Sequence, residues 1–300
     1  MKHVFLLNAH SLSDGKGQAL CSRIKEKCRG LSYEIYMSSS IEDARAKAIA
    51  EAETDEEVCL YAVGGDGTIH QIADAIYPFS NVILSAIPAG TGNDFIRNFG
   101  TKKDFLSLSH ITDGVVHEVD LLQLSPFTCL NMVNIGFDES VVERVDRLRR
   151  LPAFLHPFSY ILGVIIQLFR YPKEELRIEF DNGEIYEGKC LLTFVANGKY
   201  CGGGFKAASP AEYDDGKMDV MIVRPISRLA FLSMVGQYKK GTLIGTDKCD
   251  KIALYRQTHT LKISKKTPFR ICLDGEIHEC KSLDFSVLSR RIRFKAPCHT

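Results

Sequence analysis

The sequence predicts a two-part chain, a parallel α/β half followed by a mainly antiparallel β half. Three observations predict it. The chain has 300 residues, more than a single hydrophobic core usually organises. Up to about residue 120, apolar β-rich runs alternate with helical stretches, the signature of a parallel sheet with crossover helices. After about residue 122, strand-like runs follow one another without regular helices between them, which is the antiparallel pattern.

In the first half, His3–Asn8 reads as a strand and leads through a polar, glycine-containing segment to a helix near Gly17–Cys28. The same order recurs as Tyr33–Met37 before Ile41–Ala52, Val58–Val63 before Ile69–Ile76, and Val82–Ile87 before a segment starting near Asn93. Right-handed crossovers gather the strand-to-helix turns at the carboxyl edge of such a sheet, where ligands bind. In the second half the strand candidates are Leu176–Phe180, Lys189–Ala196, Met218–Val223, Thr260–Ser264, Phe269–Leu273 and Leu283–Leu288, and Asp181-Asn182-Gly183-Glu184 reads as a hairpin turn. The expected division is 1–122, 123–288, and a tail, 289–300, that returns to the first domain through the alternating Arg290-Arg291-Ile292-Arg293-Phe294.

Composition excludes several classes. With 45% hydrophobic and 25% charged residues, the chain is neither disordered nor fibrous. A formal net charge of +1 gives no global attraction to nucleic acid. The ten cysteines lie between Cys21 and Cys298 without a CxxC pair, so reduced thiols are expected. Met1-Lys2-His3 runs straight into Val4–Leu7, which reads as a first strand rather than a leader, and a cytoplasmic protein is expected. The apolar stretch Leu151–Phe169 is interrupted by Pro152, His156, Pro157, Ser159 and Gln167. Its uninterrupted part, Phe158–Phe169, makes a helix of about 18 Å, short of a ~30 Å hydrocarbon core. A transmembrane helix is the least favoured of three readings; the others are a buried helix and a partly exposed apolar face that meets a bilayer or a lipid.

Two glycine-rich turns carry the chemistry. Gly64-Gly65-Asp66-Gly67-Thr68 follows strand Cys59–Val63 and precedes an apolar-periodic helix. Glycines there expose backbone N–H groups to an anion, and the helix N-terminus adds its positive dipole end. Thr68 caps that helix or contacts phosphate; Asp66 is an acid where a purely anion-binding loop wants none, so it points to a metal ion or a substrate hydroxyl. Alone, the turn could be only a tight turn. A second one, Pro88-Ala89-Gly90-Thr91-Gly92-Asn93-Asp94, has the same placement after Val82–Ile87. Neither matches the dinucleotide-binding GxGxxG or the Walker pattern.

The order and spacing of six segments resemble the diacylglycerol kinase and sphingosine kinase catalytic family, especially its small bacterial members, over nearly the whole chain. These are GGDGT at 64–68, PAGTGND at 88–94 with Phe95 and Arg97, Val119-Asp120, Asn134-Ile135-Gly136-Phe137-Asp138, Asp214-Asp215-Gly216-Lys217-Met218-Asp219, and Leu273-Asp274-Gly275-Glu276. The resemblance implies a three-layer α/β domain similar to NAD kinases and phosphofructokinases, a β-sandwich-like second domain, and a nucleotide cleft between them. It implies ATP and Mg²⁺ as cofactors, with Gly64, Gly65, Gly67, Thr68 and Thr91 on the phosphates and Asn8 and Ser38 on the remainder of the nucleotide. The family's first turn runs Asn-Pro-x-Ser-Gly, whereas this chain has Asn8-Ala9-His10-Ser11. Glu276 is implied as the base that accepts the lipid hydroxyl's proton. Asp66, Asp94, Arg97 and Asp120 are implied as a network ordering the metal and its waters. Asp215 and the backbone of Met218 are implied as a separate structural Mg²⁺ site, which suits a hard cation.

The implied reaction is transfer of the ATP γ-phosphate to a neutral lipid, diacylglycerol giving phosphatidic acid. Two alternatives remain: a kinase of a soluble substrate such as NAD, and a nucleotide-binding regulatory protein without catalysis. The implied partner is a lipid substrate at a membrane surface, with peripheral contact, no nucleic acid, and a homodimer through exposed strand edges. His278-Glu279-Cys280 lacks partners at metal-ligand spacing and reads as strand surface. The arginines at 144, 147, 149 and 150 read as a solvated helix face.

Overall fold

The structure, a computed structural model, describes residues 1–8, 16–136 and 174–298. Two compact units result: Met1–Leu121 with Ser289–Thr300, and Leu122–Leu288. The apolar stretch 151–169, the arginines at 144–150, residues 9–11 and Phe137-Asp138 lie outside the described residues.

In the first unit, β1 (Lys2–Asn8), β2 (Tyr33–Ser38), β3 (Val58–Gly64) and β4 (Val82–Pro88) form a parallel sheet in the order β2-β1-β3-β4. Every residue of β3 and β4 is buried, as strands covered on both faces must be. Alternation sorts the side chains. Phe5, Leu7, Cys59, Tyr61, Val63, Ile83 and Ile87 share one core with Ile24 and Cys28 around α1 (Lys16–Lys27). The residues between them face the opposite way. α2 (Ile41–Ala52) and α3 (Asp66–Ile76) pack on each other and on the sheet through Ala44, Ala48, Ile69, Ile72 and Ala73. The three-layer expectation is met. α2 begins where the Ser40 hydroxyl accepts from Asp43 N at 3.1 Å.

The segment after Asn93 forms a 3-10 turn, Phe95–Asn98, and two short helices, α4 (Lys102–Leu106) and α5 (His110–Asp113). β5 (Gly114–Leu124) leads out of the first unit, and the end of a long strand, β14 (Glu276–Pro297), returns to it. There Phe294 and Lys295 pair in parallel with Leu84 and Ser85.

In the second unit, β6 (Phe127–Cys129), β7 (Met132–Gly136), β8 (Glu174–Phe180), β9 (Ile185–Cys190), β10 (Leu192–Ala196), β11 (Met218–Val223), β12 (Ala253–Thr258) and β13 (Thr260–Leu273) join β14. The main antiparallel path is β12-β11-β10-β7-β13-β14. β8 and β9 form the expected hairpin, with Gly183 at φ +82° in its turn.

Three readings are corrected here. Thr260–Ser264 and Phe269–Leu273 are one strand, β13, with a register irregularity between Ser264 and Phe269. Lys189–Ala196 divides into β9 and β10 around Leu191. Two helices interrupt the strands, α6 (Arg228–Lys240) and α7 (Asp247–Ile252). All ten cysteines are free thiols, and no described helix is long and apolar enough to cross a membrane.

One polar cluster lies inside the first unit. Tyr61 is fully buried, stacks on Phe5 at 4.4 Å and shares a 3.0 Å hydrogen bond with His3 Nδ1. His110 is wholly buried nearby, and the buried Lys295 ammonium donates to the Ile111 carbonyl at 2.9 Å. Burial first, and the Lys295 charge second, hold both imidazoles down at about 4.

Candidate functional site

Strand register places the first unit's candidates together. Asn8 pairs with Ser38, and Gly64 pairs with Pro88, so four neighbouring parallel strands end at one edge. This is the carboxyl edge. Ser38 is buried, and its hydroxyl donates to the Leu7 carbonyl at 3.1 Å.

Helix α3 begins at Asp66, with Gly65 in the N-cap position at φ −99°, ψ −169°. Thr68 therefore sits in the first helical turn and is not the cap; its side chain folds over Gly64, where a Cβ would collide with it. Gly65 and Gly67 add no side chain of their own to the turn, so the backbone amides at the start of α3 can approach an anion beside the Thr68 hydroxyl.

The two glycine turns are stitched together. Ala89 N and Gly90 N donate to the Gly64 carbonyl at 2.8 and 3.2 Å. Asp66 Oδ1 accepts from Asp94 N at 2.7 Å and from Phe95 N at 3.0 Å. At the closest approach, a Cβ on Gly90 would lie 2.5 Å from Gly65 Cα. Only glycine permits that spacing. Asn93 holds the left-handed conformation, φ +51°, and its amide donates to the Gly90 carbonyl at 2.6 Å. Thr91 is exposed at the rim.

Of the expected network, Asp66, Asp94 and Arg97 come together: Arg97 Nε lies 3.3 Å from Asp94 Oδ1, and Arg97 Nη2 donates to the Gly92 carbonyl at 3.2 Å. Asp120 is wholly buried and accepts from Arg290 N at 2.6 Å, so it also fastens the returning strand. Asp66 Oδ2 and Asp94 Oδ2 both lie against Gly92, where a Cβ would come within 2.8 and 3.5 Å of them. Two carboxylates side by side are the oxygen donors that suit a hard cation such as Mg²⁺.

In the second unit, Asp274 anchors the β13–β14 turn. Its carboxylate accepts from Leu130 N at 2.8 Å, Asn131 N at 3.1 Å and Met132 N at 2.8 Å, while its own N–H donates to the Met132 carbonyl at 3.1 Å. Asp274 itself sits at φ +47° and Gly275 at φ +98°. This fixes the start of β14, where Glu276 stands with a partly exposed side chain. In the sequence Asp274 is only a letter of the DGE motif; nothing there shows that its partners lie more than 140 positions earlier.

At the acidic turn, Asp215 is exposed and accepts from Lys217 N at 3.0 Å, and Met218 opens β11 fully buried. Asp219, wholly buried, accepts from Tyr255 and Gln257 on Oδ1, while Oδ2 has no hydrogen-bond partner. Burial first, and the neighbouring acids Asp215 and Glu212 among the lesser causes, push Asp219 up to about 6. Excess negative charge beside an unsatisfied carboxylate oxygen fits a cation at this turn. Among the described residues no group of three His, Cys, Asp or Glu side chains is arranged to hold one, so backbone carbonyls and water would complete the set.

Comparison with known proteins identifies the family and the fold. Residues 2–124 match the diacylglycerol kinase catalytic domain, and residues 131–294 match the YegS C-terminal NAD kinase beta sandwich-like domain. A diacylglycerol kinase of Bacillus subtilis is 27% identical over 253 residues, 83% of this chain and 81% of its own length. A probable lipid kinase YegS-like of Pseudomonas aeruginosa is 26% identical over 298 residues, 99% of this chain and 95% of its own. The crystal structure of a diacylglycerol kinase from Bacillus anthracis superposes with a TM-score of 0.72 at 19% identity, covering 98% of this chain and 96% of the other, and shares the fold.

Proposed function

Because the chain belongs to the diacylglycerol kinase and YegS-like lipid kinase family, we propose that it transfers the γ-phosphate of ATP to the hydroxyl of a neutral lipid, diacylglycerol giving phosphatidic acid. The observation that carries the reading is the pair of glycine turns locked by Asp66 at one sheet edge. Open amides at Gly65 and Gly67 and the hydroxyls of Thr68 and Thr91 would bind the phosphates, with Asn8 and Ser38 toward the nucleoside. Mg²⁺, held through water by Asp66 and Asp94, would neutralise charge on the transferring group. Arg97 holds Asp94 in place for that task.

Glu276 is the acceptor for the proton of the lipid hydroxyl. As the hydroxyl oxygen bonds to the γ-phosphorus, the bond from that phosphorus to the bridging oxygen breaks, ADP leaves, and the proton passes to the carboxylate. The Asp274 clamp keeps the base from drifting. A second cation at Asp215 and the Met218 carbonyl would be structural. Since the acceptor is a lipid, the protein works in peripheral contact with a membrane surface.

The test is purified protein with Mg-ATP and radiolabelled γ-phosphate, offered diacylglycerols, sphingoid bases, phosphatidylglycerol and NAD. Labelled diacylglycerol is the expected product. No labelled lipid would sink the proposal, and labelled NAD would move the chain to the soluble-substrate kinases. Glu276→Gln is expected to lower kcat by about 10²-fold or more while ATP still binds; an unchanged kcat would remove Glu276 from the mechanism.

A further inference from the structure

His278 reads in the sequence as strand surface, yet the structure sets it beside Glu276. The two residues are i and i+2 on β14, so their side chains share one face of the strand. His278 Nε2 lies 3.8 Å from Glu276 Oε2. The ring is fixed there: it packs on Phe127 of β6 with centroids 4.4 Å apart, and Ile271 of β13 is its cross-strand partner. Only about a quarter of the side chain is exposed, at 26%.

We infer that His278 is a positioning residue for the reaction, an imidazole whose protonation sets the base strength of the Glu276 carboxylate and so makes turnover respond to pH. The inference rests on the reading of Glu276 as the base. Its physics is short-range electrostatics. Histidine is the side chain whose charge ordinarily changes near neutral pH. A positive imidazolium 3.8 Å from a carboxylate in a partly desolvated setting stabilises the anion and weakens it as a proton acceptor. A neutral imidazole exerts no such charge. Apart from Glu276, the cross-strand and stacking neighbours of the ring are uncharged side chains. The cross-strand face is Phe269, Ile271 and Leu273, β6 contributes the Phe127 ring, and the thiol of Cys280 is held up at about 11, chiefly by burial. Arg270 and Glu279 pair on the opposite face. The gap of 3.8 Å exceeds a hydrogen bond, so the coupling runs through charge rather than a shared proton.

The experiment is the pH profile of kcat between about 5 and 9, the range that brackets an ordinary imidazole, for wild type, His278→Gln and His278→Phe, with diacylglycerol in mixed micelles and saturating Mg-ATP. Each profile is normalised to its own alkaline plateau, which removes the ionisation of ATP common to all three. Wild-type kcat is expected to fall faster on the acid side, so that about one unit below an ordinary imidazole pKa both variants retain roughly three- to tenfold more of their alkaline rate. The KM for ATP should not share the change. Superimposable profiles overturn the inference. A normal acid limb in His278→Phe but not in His278→Gln overturns it too, because the ring's packing on Phe127 would then be what matters. If Glu276→Gln keeps wild-type kcat, the base assignment has fallen first; if that variant is inactive and the His278 profiles still superimpose, only the present inference fails.

Discussion

Gly90→Ala tests whether the close approach of the two glycine turns is what builds the phosphate site. The added Cβ would lie 2.5 Å from Gly65 Cα and 3.2 Å from Gly65 N, with the Asn93 amide oxygen 3.3 Å away. Carbon atoms in contact sit about 3.5–4.0 Å apart, so the turns must separate by about 1 Å. Both obstructing groups at Gly65 are backbone, so no side chain can rotate out of the way. Such overpacking costs about 1–3 kcal/mol, and it stretches the bonds from Asp94 N and Phe95 N to Asp66, now 2.7 and 3.0 Å. A displacement of about 1 Å at a positioned reactant costs on the order of 100-fold. Gly65→Ala is the graded comparison, since its Cβ would meet Gly90 Cα at 3.3 Å, a tight contact that asks the backbone for only a few tenths of an ångström. Gly236→Ala, inside α6 with nothing within 4 Å of its Cβ, is the control and should stabilise by roughly 0.5–1 kcal/mol without altering turnover. Calorimetric ATP titration, thermal melting and lipid labelling provide the readout. The expected order of damage is Gly90→Ala well above Gly65→Ala, with Gly236→Ala harmless. A Gly90→Ala variant that binds ATP and turns over at close to the wild-type rate would refute the reasoning.

Asp274→Ala removes the acceptor of three buried amides, each bond to a charged group being worth about 1.5–3 kcal/mol, and is expected to cost several kcal/mol in urea unfolding; Asp274→Asn, which keeps one acceptor oxygen, should lose less. Equal loss in the two variants would show that the side chain's charge, not its acceptor geometry, holds the turn. Stability should also fall with acid. His3 and His110 have folded values near 4 against an ordinary 6.5, so the unfolded chain binds more protons in between, and stability present above about pH 6.5 is lost as pH falls toward 4. At about pH 5.5 this amounts to roughly 1 kcal/mol per imidazole if each acts alone. Unfolding curves that coincide at that pH and at about one unit above an ordinary imidazole pKa would contradict it.

Legibility in the sequence followed the physics of each element. β1, β3 and β4 are visible because continuous apolar runs stand out on their own, and a strand buried on both faces needs no alternation. α6 escapes notice for another reason. Ala230, Phe231, Met234 and Tyr238 do recur at helical spacing and pack on the core, but Leu229, 80% exposed, and Leu232 put apolar residues on the outer face too and blur that stripe. In the sequence β14 shows as two pieces, Leu283–Leu288 and the alternating Arg290–Phe294; Arg290 does adopt φ +52°, yet the strand runs on beyond it to reach β4. Glu276 and the Asp66 turn stand out as motif letters, but what holds them does not. The amides that clamp Asp274 come from residues 130–132, and the ring against His278 from residue 127, contacts created only by the antiparallel pairing.

The motif acids thus divide by what their oxygens accept. Asp66 and Asp274 both spend carboxylate oxygens on backbone amides of a distant segment, residues 94–95 for one and 130–132 for the other. An acid used this way fixes a turn and leaves little lone-pair capacity for a proton from substrate. Asp66 still presents Oδ2 beside Gly92, which suits an ion reached through water, whereas Asp274 has both oxygens committed. Glu276 differs: it stands at a strand start, partly exposed, with an imidazole beside it. Within one short motif the chain thus has one acid that holds the turn, Asp274, and the proposed base is its neighbour but one, Glu276. Exchanging the two by Asp274→Glu with Glu276→Asp should lose both jobs, read as a lower urea midpoint together with lost lipid labelling, since the longer side chain overshoots the amides and the shorter one withdraws from the substrate side.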